Sequence, residues 1–291
     1  MKQLPPWLLD ELPSHETASY IPQKYDDSTH KLWLIKGKKF NLFLKVCSNT
    51  SSPFWKVIKH LFELNLSSDI SSFHQQYSYI DKNTRLQVPE LIKAKSSNAD
   101  TVGRNAFILT SEISGNVIEE PNLMMVGQLA EHLAALHHKN NDQWGTLHKP
   151  IFNQQQWRER ISDTLQSFAK QEEVPERYLN EALGACQYII STQFIPLMPD
   201  LRWDQFLQKD DQLYALVDLD AFVLAPRELD FVLLEYILAP DQLSHFIQSY
   251  TNEHPIPDIS KVRPAYRLLL FLMQVLGEQK IDDWMNSECY F

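Results

Sequence analysis

The hydrophobic pattern changes period once along the chain, and that change restricts the folds open to it. Up to about residue 113 the apolar side chains mostly alternate, the spacing of strands with one buried face. In KLWLIKGKKFNLFLKVC, Leu32, Leu34, Leu42, Leu44 and Val46 alternate with other side chains around a turn at Gly37 and its flanking lysines. A hairpin is predicted there, with Lys45 inside its second strand. LQVPELIKA and NAFILTSEI read as two more strands. Helical spacing is confined to Pro53 to about Leu64 and to Ser71 to Asp81, where Ser71 or Ser72 offers an N-cap. Residues 1–30 read as a helical turn or two followed by a loop.

After residue 113 the spacing becomes helical. Leu123, Val126, Ala130, Leu133 and His137 share one helix face, and QQQWRERISDTLQSFAKQ, ERYLNEALGACQYIIST, LDFVLLEYIL, DQLSHFIQSYTNE and VRPAYRLLLFLMQVLGE continue the pattern. One hairpin interrupts it, formed by WDQFLQ, the turn KDDQ and LYALVDLD. The predicted architecture is α+β with two lobes: a small β-rich lobe at 1–113, a strand-like hinge near 109–115, and a helical lobe at 114–291 that carries the second hairpin.

With 291 residues, 44% of them hydrophobic, the chain can bury a sizeable core. Its formal charge of -10 argues against a nucleic-acid partner and toward a cationic or neutral small substrate. Three widely separated cysteines, Cys47, Cys186 and Cys289, suggest neither a disulfide framework nor structural zinc. The prolines and acids of MKQLPPWLLDELPSHE do not read as a signal peptide, and the apolar run LLLFLM is too short to span a bilayer. A soluble protein of the reducing cytoplasm, without a membrane partner, is therefore expected.

Polar chemistry concentrates in MPDLRWDQFL, just ahead of the second hairpin. A turn centred between Asp210 and Asp211 places Gln205 opposite Leu216 and Trp203 opposite Asp218. Asp200, Gln205 and Asp218 then gather toward one end of the hairpin. One or two side-chain oxygens, completed by phosphates and water, suit magnesium. A carboxylate outside the ion's shell is free to orient a hydroxyl.

PDLRWDQFL followed by ALVDLDAFVLAPRELDF resembles the catalytic and metal loops of the aminoglycoside/choline phosphotransferase group, whose fold is protein-kinase-like. Those families carry H-G-D-x-x-x-x-N, then I-D-W or F-D-P, then an aspartate opening the next helix. Fructosamine kinases look most similar: NLFLKV resembles their F-V-K-V strand, LQVPELI their V-P strand, LAALHHKNNDQWG their L-x-x-L-H helix and following F-G, and PRELDF their H-R-E-x-D-L. FIQSYTNEHPIP and VRPAYRLLLFLMQVL resemble two further helices of that family, so the likeness spans roughly residues 30–280.

The resemblance implies ATP and Mg2+ as cofactors. Lys45 would contact the nucleotide phosphates, and the backbone of Ser111, Glu112 and Ile113 would meet adenine. Asp200 would be the catalytic base or orienting carboxylate, Gln205 and Asp218 would hold magnesium, and Asp230 would cap its helix and brace the catalytic loop. The implied activity is transfer of the γ-phosphate to a hydroxyl of an amine-bearing or glycated-amine acceptor.

The departures support a second reading, a catalytically silent kinase-like protein that binds a nucleotide or a protein partner. Met198-Pro199 replaces His-Gly, and Gln205 stands in the asparagine position with one more methylene. The helix acid expected to pair with Lys45 is not evident: spacing points near His74, while Glu63 lies in an earlier helix. Without the resemblance, Lys45 reads as a strand-edge residue and Asp218 as a turn or cap. His132, His137, His138 and His148 do not place three ligands on one face, and Trp157, Arg158 and Arg160 fit an ordinary amphipathic helix. A third reading, a helical interaction protein that binds no nucleotide, leaves the two aspartates without a role.

Overall fold

A computed structural model describes residues 3–23, 28–48, 50–97, 106–190 and 193–291. After a single turn at Pro6–Leu8, the strands β1 (Thr17–Ile21), β2 (His30–Lys36) and β3 (Asn41–Cys47) lead into the helices α1 (Pro53–Phe62), α2 (Leu66–Asp69) and α3 (Phe73–Asn83). Strands β4 (Leu91–Lys95) and β5 (Phe107–Ser111) complete an antiparallel sheet of order β1-β2-β3-β5-β4. The N-terminal strand β1 falls where a loop was expected.

The first hairpin forms as predicted, but β2 buries Trp33 and Ile35 rather than Leu32 and Leu34. The ladder explains the difference. Trp33 pairs with Leu44 and Ile35 with Leu42, so these four share one face with Phe107 and Leu109 of β5, and Leu8 packs against it. Leu32 pairs with Lys45 on the other face. A strand's alternation identifies its two faces, and in β2 both carry apolar residues.

The remaining elements are β6 (Asn116–Val117), α4 (Leu123–His137), β7 (Gln143–Thr146), β8 (Pro150–Asn153), α5 (Gln154–Gln171), α6 (Glu176–Cys186) and β9 (Ile195–Leu197). They continue with β10 (Phe206–Lys209), β11 (Gln212–Leu216), β12 (Val223–Ala225), α7 (Glu228–Ile237), α8 (Leu243–Tyr250), α9 (Arg263–Met273) and α10 (Ile281–Met285). The sequence reading missed a four-stranded sheet, β8-β7-β12-β9, whose strands are only three or four residues long. Segments that short are below the length at which a period of two can be recognised.

The second hairpin turns through Asp210 and Asp211, both left-handed with φ of 52° and 58°, a conformation that aspartate tolerates better than most residues. Its register differs from the expectation by one residue. Lys209 pairs with Gln212, but a bulge between Leu207 and Gln208 brings Phe206, not Gln205, opposite Leu216. Gln205 instead ends the single helical turn Trp203–Gln205. Gln87, just ahead of β4, exchanges backbone hydrogen bonds with β11 through Tyr214 and Leu216, and so joins the first sheet's segment to the second hairpin.

Helix α1 lies within the 1–113 segment, yet its buried face packs on the helical part. The Phe62 ring sits 6.0 Å from that of Trp144 and 5.9 Å from that of Trp157, and Arg160 donates to the carbonyls of His60 and Leu61. Ser52 caps the helix by accepting from the Trp55 amide, and Pro53 occupies a first-turn position that needs no donor. Cys47, Cys186 and Cys289 are free thiols. Among the described residues no helix is long and apolar enough to cross a membrane.

Phe62 is fully buried at the joint between α1 and the helical layer. Phe62→Ala should therefore cost about 3–5 kcal/mol of unfolding free energy in urea titrations. A loss below about 1 kcal/mol would mean that α1 is not docked there.

Candidate active site

Between the inner face of the five-stranded sheet and the helical part lies a cavity of about 460 Å³. Strand β3 supplies Lys45, because Leu42, Leu44 and Val46 turn outward to the other core and the alternation points the lysine inward. The loop after β9 supplies Asp200, Arg202 and Asp204, and the loop after β11 supplies Asp218 and Asp220. Phe54 and Trp55 of α1, and Met273 to Val275 at the end of α9, close the opposite side.

Lys45 Nζ donates to Asp218 Oδ1 at 2.9 Å and to Asp220 Oδ2 at 3.2 Å. Burial alone would drive Lys45 toward its neutral form, but the two carboxylates outweigh it and hold the proton well above the ordinary lysine range. Asp218 faces the cavity, with 43% of its side chain exposed. Protein on most sides raises its pKa, and the nearby Lys45 more than reverses this, so Asp218 stays ionised below the usual carboxylate range. Asp220 is 4% exposed, and burial together with Asp218 pushes it up.

Asp200 is pushed to about 7, first by burial and then by the charge of Asp218, while Arg202 opposes the shift. Its Oδ1 is buried with no partner among the described residues, and so are Gln205 Nε2 and His30 Nε2. Arg202 is engaged, donating through Nε to Asp204 at 3.1 Å and through a terminal nitrogen to the Val275 carbonyl at 3.4 Å. His30 lines the cavity with Nδ1 3.6 Å from Asp220, and burial and Lys45 push it down to about 3, so it is neutral.

Lys45, Asp200 and Asp218 thus meet in one cavity, whereas the other candidate residues are placed differently. Gln205 is 3% exposed and does not line the cavity. Its Oε1 accepts from the Arg202 amide at 3.1 Å and so braces the loop that carries Asp200. Ser111, Glu112 and Ile113 are also absent from the cavity wall. The Ser111 amide donates to Glu90 and the Glu112 amide to Asn41, which commits both groups to neighbouring backbone. Asp230 does not cap α7. It lies inside the helix and binds His137 Nε2 at 3.0 Å, while the Tyr250 hydroxyl meets His137 Nδ1 at 2.6 Å, a brace joining α7, α4 and α8.

His132 and His137 are core residues, and His138 pairs with Glu253 at the surface. Trp157 is buried and donates to Tyr266, and Arg160 holds the last carbonyls of α1, so both are structural, while Arg158 is exposed. Neither candidate partner for Lys45 reaches it: His74 is exposed, and Glu63 pairs with Arg160 at 3.6 Å. The sequence reading passed over Asp220, although the D-x-D spacing of Asp218 and Asp220 was a usable signal, since alternate residues of extended backbone face the same way. It also missed Tyr77, which donates to Asp220 at 3.4 Å, and the α1 side of the cavity.

The site fits a magnesium-bound nucleotide. Asp218 offers an ionised oxygen to the cavity, and Lys45 supplies a charge complementary to phosphate. The described residues contain no cluster of three or more His, Cys, Asp or Glu able to hold a metal ion, and magnesium carried largely by phosphates and water needs none.

The fold is that of the protein-kinase-like phosphotransferases, an antiparallel sheet lobe over a mainly helical one. Over 94% of this chain and 91% of the other, it matches a Haemophilus somnus 129PT protein assigned as a fructosamine-3-kinase, with a TM-score of 0.62 at 15% identity. A Thermobifida fusca YX-ER1 protein assigned likewise matches over 94% and 92%, with a TM-score of 0.64 at 12% identity. The ADP-bound aminoglycoside phosphotransferase APH(2'')-Ib matches over 96% and 95%, with a TM-score of 0.60 at 11% identity. No protein-family model and no curated protein matches the sequence.

Asp200 gives a signature independent of activity. Its folded pKa lies above its unfolded value near 3.9, so the folded state binds more protons between about pH 4 and pH 7 and stability falls as pH rises through that window. Asp200→Asn should be the more stable protein at pH 8, and its advantage should shrink at pH 5 and vanish by about pH 4. Chemical denaturation at the three pH values checks this, and an advantage independent of pH would mean that Asp200 is not held neutral.

Proposed function

We propose that this chain is an ATP- and magnesium-dependent phosphotransferase that moves the γ-phosphate to a hydroxyl of an amine-bearing or glycated-amine acceptor. The convergence of Asp200, Asp218 and Lys45 in one cavity carries the reading. The fold adds weight, because ADP and streptomycin with ATP occupy solved structures of the same fold. In this reading residues 1–113 form the nucleotide-binding lobe and residues 114–291 the lobe that carries the catalytic and metal loops.

The acceptor hydroxyl lies beside Asp200. As its oxygen bonds to the γ-phosphorus and the bond to the leaving ADP oxygen breaks, its proton passes to the Asp200 carboxylate. A carboxyl with a pKa of about 7 exchanges a proton near neutrality, which suits this role. Lys45 holds the phosphates and Asp218 is the principal metal ligand. Bound magnesium would neutralise phosphate charge. Gln205 would join the metal only if its amide turned away from Arg202. At Ser111 to Ile113, adenine would use backbone other than the two committed amides. Asp200, Asp204, Asp218 and Asp220 outnumber Lys45 and Arg202 in the cavity wall, an environment favourable to a cationic acceptor. The three free thiols agree with a cytoplasmic setting.

A silent kinase-like protein is the second reading, and one observation favours it. Lys45 is bonded directly to Asp218, so the phosphate contact and the metal ligand occupy each other until a ligand separates them. Turnover of ATP with a panel of amines and sugars at fixed magnesium decides between the two readings.

Asp218→Asn should weaken magnesium-ATP binding in titration calorimetry by tenfold or more, whereas Asp200→Ala should nearly abolish turnover with little change in ATP affinity. Retained turnover in Asp200→Ala removes the proposed role of Asp200. Gln205→Leu should impair turnover by disordering the loop brace. If magnesium-ATP affinity in that variant equals the parent's, Gln205 is not a metal ligand.

A further inference from the structure

We propose that Asp220 is the residue that positions Lys45 toward the nucleotide phosphates, the part that an acid on a helix was expected to play. The inference rests on the phosphotransferase reading and concerns how its phosphate contact is held.

The residues that α3 turns toward the site are Gln76 and Tyr77, 1% and 4% exposed, and neither is an acid. The acids paired with Lys45 come instead from the loop after β11. These two carboxylates are not equivalent. Asp218 opens onto the cavity and is the group a metal would take. Asp220 is enclosed, with Oδ2 on Lys45 and Oδ1 accepting from the Tyr77 hydroxyl at 3.4 Å. Once Asp218 turns to a metal, Asp220 is the counter-charge that remains beside the lysine.

Helix α3 keeps a part in this arrangement by a different route. Gln76 Nε2 donates to the carbonyl of Leu219, the residue between the two aspartates, and thereby fixes the backbone that presents both. The helix therefore holds the holder of Lys45. Lysine placement becomes a property of the metal loop, so nucleotide contact and metal contact are set by three consecutive residues. Without Asp220, an ammonium whose other carboxylate is drawn to a metal would keep no protein counter-charge to fix it, and its position over the phosphates would loosen.

A double-mutant cycle with Asp220→Asn, Lys45→Met and the double variant tests this, with magnesium-ATP and adenosine binding measured by calorimetry or competition. Asp220→Asn is expected to weaken magnesium-ATP about tenfold or more, to change adenosine affinity less than twofold, and to cause no further loss in the Lys45→Met background. Tyr77→Phe, which keeps the ring and removes only the hydroxyl partner of Asp220, should weaken magnesium-ATP in the same direction by a few-fold. It supplies the answer should Asp220→Asn fail to fold. Losses that multiply across the cycle, an equal loss for adenosine, or unchanged magnesium-ATP affinity in Tyr77→Phe and Asp220→Asn would overturn the assignment while leaving the phosphotransferase reading intact. A parent protein that binds no magnesium-ATP would overturn both.

Discussion

The buried contact between Lys45 and the carboxylates of Asp218 and Asp220 is the constraint around which the molecule is arranged. A lone ammonium or carboxylate inside a protein costs several kcal/mol, and a pair removes that cost only when its geometry is held closely. Here the holding elements come from the whole fold. Strand β3 aims the lysine inward because its neighbours belong to the outer core, hairpin β10-β11 leads into the loop that bears the acids, and α3 grips that loop through Gln76 and Tyr77. Gln87 fastens the approach to β4 onto β11, joining the sheet's segment to the acid-bearing hairpin.

Away from the cavity, buried polar side chains brace the helical part and the loop that carries Asp200. His137, Asp230 and Tyr250 connect α4, α7 and α8 through two buried hydrogen bonds. Gln205 and Arg202 make the loop's own internal contacts. In the cavity wall, Asp200 and His30 each keep a buried atom with no partner among the described residues, as does Gln205 behind it. Such atoms cost stability in the ligand-free protein, and a ligand that satisfies them recovers that cost on binding.

How much of this was legible in the sequence differed with the physical signal. The alternation of β3 and the helix face from Leu123 to His137 were clear because each spans several periods. Strands β7, β8, β9 and β12 were not, because elements of three or four residues carry too few repeats, and β1 followed a proline-rich turn that masked it. In the site, Asp200, Lys45 and Asp218 were singled out by the resemblance of their strand and loops to a known family, and all three line one cavity. Gln205 was displaced by a single bulge, since one extra residue in a strand shifts everything beyond it. Asp220 escaped because a search for a helix acid presupposed where the partner of Lys45 would come from. Asp230 was read as a cap from its place near a helix start, whereas burial beside His137 decided its bonds.

The cavity also divides by the kind of element that builds it, and the division bears on specificity. The side that bears Lys45, Asp218 and Asp220 is made of a strand and a short loop, where one side chain at one register position has a defined direction. Its other side is made of helix ends: Pro53, Phe54 and Trp55 at the start of α1, and Met273, Gln274 and Val275 where α9 stops in a left-handed residue at Gln274. Helix α1 is anchored at both ends, by Arg160 on its last carbonyls and by the Trp55 indole donating to Thr29 in the β1-β2 connection at 2.7 Å. An acceptor beside Asp200 would therefore meet surfaces positioned by helix docking rather than by strand register. On the proposed reading, transfer and acceptor choice would draw on different elements, joined where Arg202 of the Asp200 loop donates to the Val275 carbonyl at the end of α9.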